Sequence, residues 1–476
     1  MALKLSNFTA FSNSVDESGK VIAFSTRSGK IMMISSLCHQ FLRNGDVSSI
    51  PESMLDKLIK SQVVVHEEED ELTNIIEENI SSCNDDAGFL KIVIQPSANC
   101  QLGCYYCGQT HSKESVSERT YSAIIDRIVG KLDAGNFDKL HIAWFGGEPL
   151  MALDEIRVIT QKLQTICLTR NIAYESSMVS NGLILKEKVF VELVKNMGMI
   201  SVELTLDGTE DDHDKHRYTK GKGKSFKTIY NNLKDIVRRS DFLDLGCKIS
   251  IRCNIDELNK NAFVPLLKKL HEDNILTFVK CYAASIYSWG NNAHKGAMER
   301  TAFAQEEILW KSQLFQMGFP AWVIPPRKKK LCLSTVPSSE MIDAFGNVYN
   351  CTEISYVPSY EASAHKTAVI ENDSFIALPV IKTADAMKLA DWNESLRENN
   401  FPCHTCNLLP VCGGSCPKQW HEGNAPCPNP KYVMPEHLLF HYLMLHGPQM
   451  ESSEKQKLIA FHENPWVTNV LSDRLA

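Results

Sequence analysis

Hydrophobic and polar positions alternate along the middle of the chain with two periods, one typical of strands and one typical of helices. Short apolar runs predict strands at 89–96, 140–145, 174–180, 201–206, 248–254 and 276–282. Longer segments with apolar residues at helical spacing lie near 117–134, 154–170, 186–197, 225–239, 259–272 and 301–316. This strand–helix alternation predicts a parallel sheet, either open and doubly wound or closed into a partial barrel.

The first 86 residues show a different pattern. Residues 21–35 predict two strands around a turn at 27–29, and a short helix that ends at Gly45 follows. A second amphipathic helix, a strand and an acidic helix come next. The polar stretch 77–87 predicts a linker to the strand–helix region.

The pattern changes again after about residue 320, where cysteine, glycine and proline become frequent and periodic helices become rare. A segment of this kind is typically organised around metal rather than around a large apolar core. A helix near 434–447 and a polar tail end the chain. We therefore predict four parts, at 1–86, 87–319, 320–430 and 431–476.

Length and charge restrict the class of protein. A chain of 476 residues, 43% hydrophobic and 22% charged, suits two or three globular domains. The formal net charge of -7 argues against nucleic-acid binding, because nucleic-acid-binding proteins usually have an excess of basic residues. No apolar stretch is long enough to cross a membrane, and the N-terminus has no signal-peptide pattern. We expect a cytoplasmic protein that binds neither nucleic acid nor membrane.

Cysteine is the unusual part of the composition, with 16 in the chain. Clustered cysteines in a long chain without a signal peptide are typical of metal ligands rather than of disulfides. Ten of them fall into spaced groups. Six are isolated and predicted to be small buried hydrophobes, namely Cys38, Cys83, Cys167, Cys247, Cys253 and Cys281. The strand positions of Cys253 and Cys281 would also allow them to line a cavity.

Three cysteines follow directly on the first strand of the predicted sheet, at Cys100, Cys104 and Cys107. Three thiolates on one loop can hold three irons of a [4Fe–4S] cube. The fourth iron is then open to a substrate, as a catalytic metal site requires. A zinc knuckle or a chance pattern is the alternative for this spacing taken alone.

Further motifs end the next strands, and together with the cysteine loop they resemble the radical S-adenosylmethionine (SAM) superfamily. The resemblance includes a GGEP motif, a turn after the third strand and short elements on the fourth and fifth strands. The matching site residues are Gly146, Gly147, Glu148, Ser180, Asn181, Thr205, Arg217 and Arg252. Each one, taken alone, is also explained by a turn, a helix cap or a surface ion pair.

This resemblance implies a SAM site. The open iron would chelate the amino and carboxylate groups of SAM, and reductive cleavage would give a 5′-deoxyadenosyl radical that abstracts hydrogen from a substrate. Glu148 would accept hydrogen bonds from the SAM ammonium. Arg217 and Arg252 both carry the charge to pair the SAM carboxylate, and the sequence leaves the choice open. A reducing partner such as flavodoxin or ferredoxin would supply the electron.

The C-terminal cysteines resemble the seven-cysteine SPASM domain, which follows radical SAM domains that modify peptides and proteins. Two auxiliary [4Fe–4S] clusters are implied, which makes three clusters in all. By the family's interleaved ligation, the ligands would be Cys332, Cys351 and Cys416 for the first, and Cys403, Cys406, Cys412 and Cys427 for the second. The implied fold is α/β, a partial (β/α)6 TIM-like barrel between a small winged-helix-like domain and a SPASM domain.

The first auxiliary cluster has only three obvious thiolates, because residues 333–340, where some relatives supply a fourth cysteine, contain none. Its fourth iron would bind substrate directly, or another side chain would close it. The alternative for this region is a pair of structural zinc sites, since four of the cysteines have a suitable spacing at Cys403, Cys406, Cys412 and Cys416.

Auxiliary clusters offer an electron path, so the resemblance favours oxidative chemistry. Residues 1–86 resemble the winged-helix leader-recognition domain of ribosomal-peptide maturases, in which a leader adds as a strand to a sheet edge. We predict a maturase that makes a thioether, carbon–carbon or ether cross-link in a ribosomally synthesised precursor peptide. The alternatives are a sulfatase-maturating enzyme, which forms formylglycine on a protein, and a zinc-binding interaction protein.

A base or radical donor on the substrate side is a further expectation. Asp343 is the candidate base, because sulfatase maturases carry an acidic residue near this position. A turn residue is its other interpretation, since Asp343 lies three residues before Gly346 in the sequence IDAFGN. Tyr349 and Glu353 flank Cys351 and are further candidates.

Overall fold

The computed structural model describes residues 2–85, 88–360, 365–371, 374–377 and 389–472. These residues form two compact units. The first unit contains residues 2–84, 299–335 and 389–472, and the second contains the described residues of 85–298 and 336–377. The predicted boundary at 86/87 lies outside the described residues, and the four-part division stays a prediction.

The N-terminal part of the first unit contains two small antiparallel sheets and three helices. They are β1 (Leu3–Leu5), β2 (Thr9–Phe11), β3 (Val21–Ser25), β4 (Ile31–Ile34), α1 (Ser36–Arg43), α2 (Glu52–Lys60), β5 (Val64–His66) and α3 (Glu71–Asn84). The strands pair in the orders β2-β3-β4 and β1-β5. The turn between β3 and β4 uses Gly29 at φ +74°, a conformation that favours glycine. The predicted linker is wrong up to Asn84, because α3 continues to that residue and buries Asn79 and Cys83.

The second unit is built on six parallel strands with helices between them. They are β6 (Phe89–Ile94), α4 (Glu118–Ala134), β7 (Lys139–Trp144), α5 (Leu153–Thr169), β8 (Ala173–Ser180), α6 (Glu187–Met197), β9 (Met199–Thr205), α7 (Glu210–His216), α8 (Phe226–Val237), β10 (Lys248–Ile255), α9 (Phe263–Glu272) and β11 (Val279–Ser285). The strands lie side by side in chain order, without the reversal of a doubly wound sheet. The predicted α/β fold with a large parallel sheet is confirmed.

Burial on both faces explains why these strands read as apolar runs. On β6, Leu90, Ile92 and Ile94 are buried on one face and Val93 is buried on the other, as expected for a strand that is covered on both faces. Ser117 accepts a hydrogen bond from the Thr120 N–H and caps the start of α4. The strand–helix alternation of the sequence is therefore the alternation of a covered sheet with its capped helices.

A second group of strands extends this sheet beyond β6. They are β12 (Glu340–Ile342), β13 (Val348–Tyr349), β14 (Lys366–Glu371) and β15 (Ser374–Ala377). Strand β12 runs parallel to β6, and the other three follow as an antiparallel edge. Arg127 on α4 binds both carboxylate oxygens of Glu340, at 2.6 and 2.9 Å, and fastens β12 to the helix layer.

The remaining helices belong to the first unit. They are α10 (Arg300–Gln316), α11 (Trp392–Arg397), α12 (Leu409–Cys412), α13 (Pro417–His421), α14 (Pro430–His446), α15 (Ser452–His462) and α16 (Pro465–Leu471). One core joins α14 and α16 to Ile22 and Phe24 of β3. The predicted polar tail is wrong, because α16 buries Trp466 and Val467 in that core. Within the described part of the chain, no helix combines the length and the apolar character that a membrane span needs.

Candidate active site

A cavity of about 210 Å³ lies at the C-terminal ends of the parallel strands. Parallel strands end at the same edge of a sheet, so the loops that follow them meet there. Most of the predicted site residues line it, namely Cys100, Cys104, Cys107, Gly146, Gly147, Ser180, Asn181, Thr205, Arg217 and Arg252. Other lining residues were not selected from the sequence, among them Tyr106, His111, Glu203, Tyr287 and Trp289.

Backbone contacts hold the cysteine loop that follows β6. The Gly103 N–H donates to the Tyr218 carbonyl at 2.8 Å, and the Cys107 N–H donates to the Cys104 carbonyl at 3.1 Å. Burial raises the pKa of all three loop thiols to about 11. Metal ligation needs thiolates, so a bound cationic centre must replace these protons. Three thiols on one cavity wall fit a [4Fe–4S] cluster with one open iron.

The glycine pair after β7 allows the backbone to pass close to this loop. Gly146 and Gly147 have φ +79° and +24°. A Cβ on Gly147 would lie 2.5 Å from the Asn99 carbonyl oxygen and 2.9 Å from that of Ser97, so only glycine fits. The Glu148 N–H donates to the same Asn99 carbonyl at 2.7 Å, which ties the glycine turn to the cysteine loop.

Glu148 is fully buried and lies outside the cavity lining. Its carboxylate accepts hydrogen bonds from the Ser180 hydroxyl at 2.8 Å, the Asn181 N–H at 2.7 Å and the Leu150 N–H at 3.1 Å. The Asn181 amide in turn donates to the Cys100 sulfur at 3.6 Å. Glu148 therefore holds the turn after β8 against the cysteine loop, and a direct contact with a SAM ammonium stays a prediction.

Tyr106, between two cysteines of the loop, is the centre of a buried hydrogen-bond network. Its hydroxyl donates to Asp207 Oδ2 at 2.6 Å and accepts from Arg217 Nη1 at 2.6 Å and from Asn254 Nδ2 at 3.0 Å. Burial raises the pKa of Tyr106 well above its usual value, so the phenol stays neutral. The Arg217 Nε has no hydrogen-bond partner among the described residues, which leaves a buried donor for an anionic ligand.

Arg252, the other predicted arginine, has a different environment. It interacts electrostatically with the carboxylates of Glu203 and Glu353. These carboxylates accept hydrogen bonds from Tyr282 at 2.6 Å and from Tyr287 at 3.2 Å, respectively. The two arginines of the cavity are not equivalent, because Arg252 Nε donates to Asn254 Oδ1 at 2.8 Å, whereas Arg217 Nε has no hydrogen-bond partner among the described residues.

Comparison with known families identifies the centre of the second unit. Residues 94–249 match the Radical SAM superfamily, and this range contains the cysteine loop and the glycine turn. The chain carries a radical SAM domain. Proteins with this domain bind SAM and a [4Fe–4S] cluster, which are the groups that the cavity fits.

The radical SAM domain and its surroundings are similar to several known proteins. The cysteine-type anaerobic sulfatase-maturating enzyme of Clostridium novyi (strain NT) is 23% identical over 354 residues, which are 69% of this chain and 87% of that protein. The structure of anSMEcpe with bound AdoMet has 17% identity and a TM-score of 0.54, and the match covers 79% of this chain and 99% of that one. Streptococcus suis SuiB bound to its precursor peptide SuiA has 13% identity and a TM-score of 0.47 over 90% of this chain and 98% of that one. The match to anSMEcpe shows a shared fold.

Asp343 lies outside the matched radical SAM range and does not line the cavity. Its carboxylate accepts hydrogen bonds from the Phe345 N–H at 3.0 Å and from the N–H and side-chain amide of Asn347, each at 2.9 Å. Burial raises the pKa of Asp343 to about 6. These contacts favour its role in the turn between β12 and β13, and its role as a base stays a prediction. Glu353 is the acidic candidate that lines the cavity.

The isolated cysteines are buried in the described chain, which agrees with their interpretation as small hydrophobes. Cys253 and Cys281 lie on β10 and β11 but do not line the cavity of the radical SAM domain. Burial raises the pKa of both thiols. The sequence alternative, in which they face the cavity, is therefore wrong.

Four C-terminal cysteines line a second cavity, of about 100 Å³, in the first unit; they are Cys403, Cys406, Cys412 and Cys427. The Gly414 N–H donates to the Cys412 sulfur at 3.3 Å, and Lys431 Nζ lies 3.3 Å from the Cys406 sulfur. Burial raises the pKa of Cys403 to about 12 and that of Cys412 to about 11. Cys416 does not line this cavity.

The three cysteines implied for the first auxiliary cluster are divided between the units. Cys332 and Cys416 belong to the first unit, and Cys351 belongs to the second. Within the described ranges, no three histidine, cysteine, aspartate or glutamate side chains are grouped to hold a single metal ion. In a [4Fe–4S] cube each thiolate binds a different iron, so its ligand sulfurs need not converge on one point.

Proposed function

We propose that this chain is a SAM-dependent radical enzyme that oxidatively modifies a peptide. The observation that carries the proposal is one cavity, within a radical SAM domain, that three cysteine thiols share with Asn181 and Arg217. When a [4Fe–4S] cluster and SAM are bound, they supply a 5′-deoxyadenosyl radical. Cys100, Cys104 and Cys107 would hold three irons of that cluster.

The other cavity residues would bind and orient SAM. Arg217 would pair the SAM carboxylate, because its Nε is buried and has no hydrogen-bond partner in the described chain. Arg252 is less suited to this role, because its Nε already donates to Asn254 Oδ1 at 2.8 Å. The turn after β8 and Thr205 would contact the ribose. Tyr106 would hold the Arg217 guanidinium in the position that this pairing needs.

Tyr106→Phe is expected to weaken SAM binding about 10-fold. The change removes a hydrogen-bond partner from the Asp207 carboxylate and the Arg217 guanidinium in a buried site, which costs about 1–3 kcal/mol. Anaerobic titration of SAM into the reconstituted protein measures the dissociation constant, and the iron content shows whether the cluster is retained.

Tyr105→Phe is the matched control, because the Tyr105 hydroxyl is buried and has no hydrogen-bond partner among the described residues. Its removal should be nearly neutral, with SAM affinity changed by less than about 2-fold. Equal losses in the two variants would show that SAM binding does not depend on the Tyr106 network.

We also propose two auxiliary [4Fe–4S] clusters in the C-terminal region. The second cavity supports the second cluster, because it groups Cys427 with three other cysteines and leaves out Cys416. That grouping matches interleaved ligation better than a zinc site in which Cys416 is the fourth ligand. An auxiliary cluster, when bound, supplies an electron acceptor for the substrate radical.

For the substrate, we propose a ribosomally synthesised precursor peptide whose leader adds to the edge of β4. Strand β4 is last in the order β2-β3-β4, so one of its edges has no neighbour among the described strands. The Ile22 N–H donates to the Ser12 hydroxyl, and the Ile22 carbonyl accepts from the Ser12 N–H. Both backbone groups of Ile22 therefore point toward the β2 side of the sheet. Its partner across the sheet is Met33, whose own N–H and carbonyl therefore point away from β3, toward the open edge.

Met33→Pro is expected to weaken precursor binding about 10-fold or more, because proline removes the outward N–H that an added strand would use. The pairing of β3 with β4 should persist, since that N–H does not bond β3. Met33→Ala keeps the N–H and should stay within about 3-fold of the parent. Fluorescence anisotropy with labelled precursor measures both, and equal affinity in the two variants would exclude strand addition at this edge.

Formylglycine formation on a sulfatase is the second candidate function. The similarity to the sulfatase-maturating enzyme of Clostridium novyi, at 23% identity over 87% of that protein, favours it. The match to anSMEcpe nevertheless covers 99% of that chain and only 79% of this one, so this chain has more residues than the shared fold uses. We propose that these additional residues include a substrate-recognition module.

Anaerobic co-purification from the native host, followed by mass spectrometry, tests the two functions. A short peptide that is retained by the parent and lost by Met33→Pro would support the precursor-peptide proposal. A folded enzyme that is retained by both proteins would support the sulfatase proposal instead. A preparation that contains zinc, and neither iron nor sulfide, would exclude both in favour of a zinc-binding interaction protein.

A further inference from the structure

One isolated cysteine lies next to a predicted cluster ligand. Cys83 is buried on the last turn of α3. Its sulfur is 3.8 Å from the Lys329 carbonyl oxygen and 3.9 Å from the Thr335 hydroxyl. Thr335 donates from its N–H and its hydroxyl to the Cys332 carbonyl, at 3.2 and 3.1 Å. The short segment that carries Cys332 therefore folds around the Cys83 side chain.

This segment, residues 327–335, is fixed on two sides. On one side, Arg327 Nη2 donates to Asn79 Oδ1 of α3 at 3.0 Å. On the other, Arg327 Nη1 donates to the Pro410 carbonyl at 2.7 Å. Pro410 lies on α12, just before the turn that leads to Cys416. The end of α3, this segment and the start of that turn therefore meet within the first unit.

A third contact connects Cys83 to the same turn. Asn393 Nδ2 lies 3.9 Å from the Cys83 sulfur. Its neighbour Trp392 donates from Nε1 to the Gly413 carbonyl at 2.8 Å. Gly413 is three residues before Cys416 in the chain. Three independent contacts thus place Cys83 among the elements that carry two of the implied ligands.

We propose that Cys83 is a thiolate ligand of the first auxiliary cluster, beside Cys332 and Cys416 of the same unit. The inference rests on the auxiliary clusters of the proposed function. On ligation the Cys83 thiol gives its proton to solvent, and its sulfur binds the iron for which residues 333–340 offer no cysteine.

The test uses the full chain with Cys100, Cys104 and Cys107 replaced by alanine, so that the auxiliary clusters are observed alone. After anaerobic reconstitution, iron, sulfide and the EPR spectrum of the reduced protein are measured. Adding Cys83→Ala should remove between about one and four of about eight irons and change the signal of one cluster. Cys38→Ala, a buried cysteine on another helix of the same unit, should change neither.

Two further variants keep the test decisive. Cys83→Ser preserves the side-chain volume, so a shifted EPR signal in this variant supports ligation even if Cys83→Ala folds poorly. Ser334→Ala examines the competing ligand, because the Ser334 hydroxyl lies 2.9 Å from the Cys332 sulfur. An effect of Ser334→Ala without any effect of the Cys83 variants would overturn the assignment. Absence of iron from the parent would instead overturn the auxiliary clusters themselves.

Discussion

Cys104→Ala is expected to abolish SAM cleavage while the chain still folds. Cys104 is one of three thiols that would hold the cluster, and its loss leaves only two protein ligands for four irons. The backbone contacts of the loop do not use the Cys104 side chain, so the loop should keep its path. Formation of 5′-deoxyadenosine with dithionite as reductant measures cleavage, and the iron content should fall by about four per chain.

Cys167→Ala is the matched control for this variant. Cys167 is a buried cysteine on α5, in the same unit, and it does not line the cavity. Its truncation should lower stability without reducing the rate of 5′-deoxyadenosine formation. Cleavage at the parental rate by Cys104→Ala would refute the cysteine loop as the cluster site. Loss of cleavage in both variants would instead indicate a general effect on folding.

The parallel sheet could be predicted from the sequence because each of its strands and helices depends mainly on residues that are close together in the chain. Strands such as β6 and β7 are mostly apolar and buried, and the helices between the strands carry periodic apolar faces. The pairing of β12 with β6 could not be predicted from the sequence, because these strands are far apart in the chain and β12 has only three residues. The continuation of α3 likewise depends on a distant partner, since Arg327 satisfies the buried Asn79 amide.

The candidate site was also predicted in part. The cysteine loop and the glycine turn were predicted because metal ligation and close backbone approach require particular residue types. The Tyr106 network was missed because it depends on which residues end neighbouring strands, and Asp207 and Asn254 meet the tyrosine only in the fold. Cys83 was predicted to be a core residue, since burial and ligation are not distinguishable for one isolated cysteine in a sequence.

Cys412→Ala is expected to spare SAM cleavage and to abolish formation of the oxidised product. Cys412 lines the second cavity with three other cysteines, and that cavity shares no residue with the one in the radical SAM domain. Loss of one of four thiolates disrupts the second auxiliary cluster, and the substrate radical then lacks its electron acceptor. Mass spectrometry of the precursor peptide and quantification of 5′-deoxyadenosine in the same reaction measure both activities.

The ratio of the two activities decides what the C-terminal cysteines do. In the parent, 5′-deoxyadenosine and product should form in a fixed ratio, whereas in Cys412→Ala the nucleoside should form without product. Cys38→Ala is the control, because Cys38 is a buried cysteine of the same unit that does not line the second cavity, and both activities should persist. Full product yield from Cys412→Ala would remove the electron path and favour a redox-neutral reaction such as epimerisation. Loss of both activities with an unchanged fold would instead place the second cluster on the route by which the electron reaches SAM.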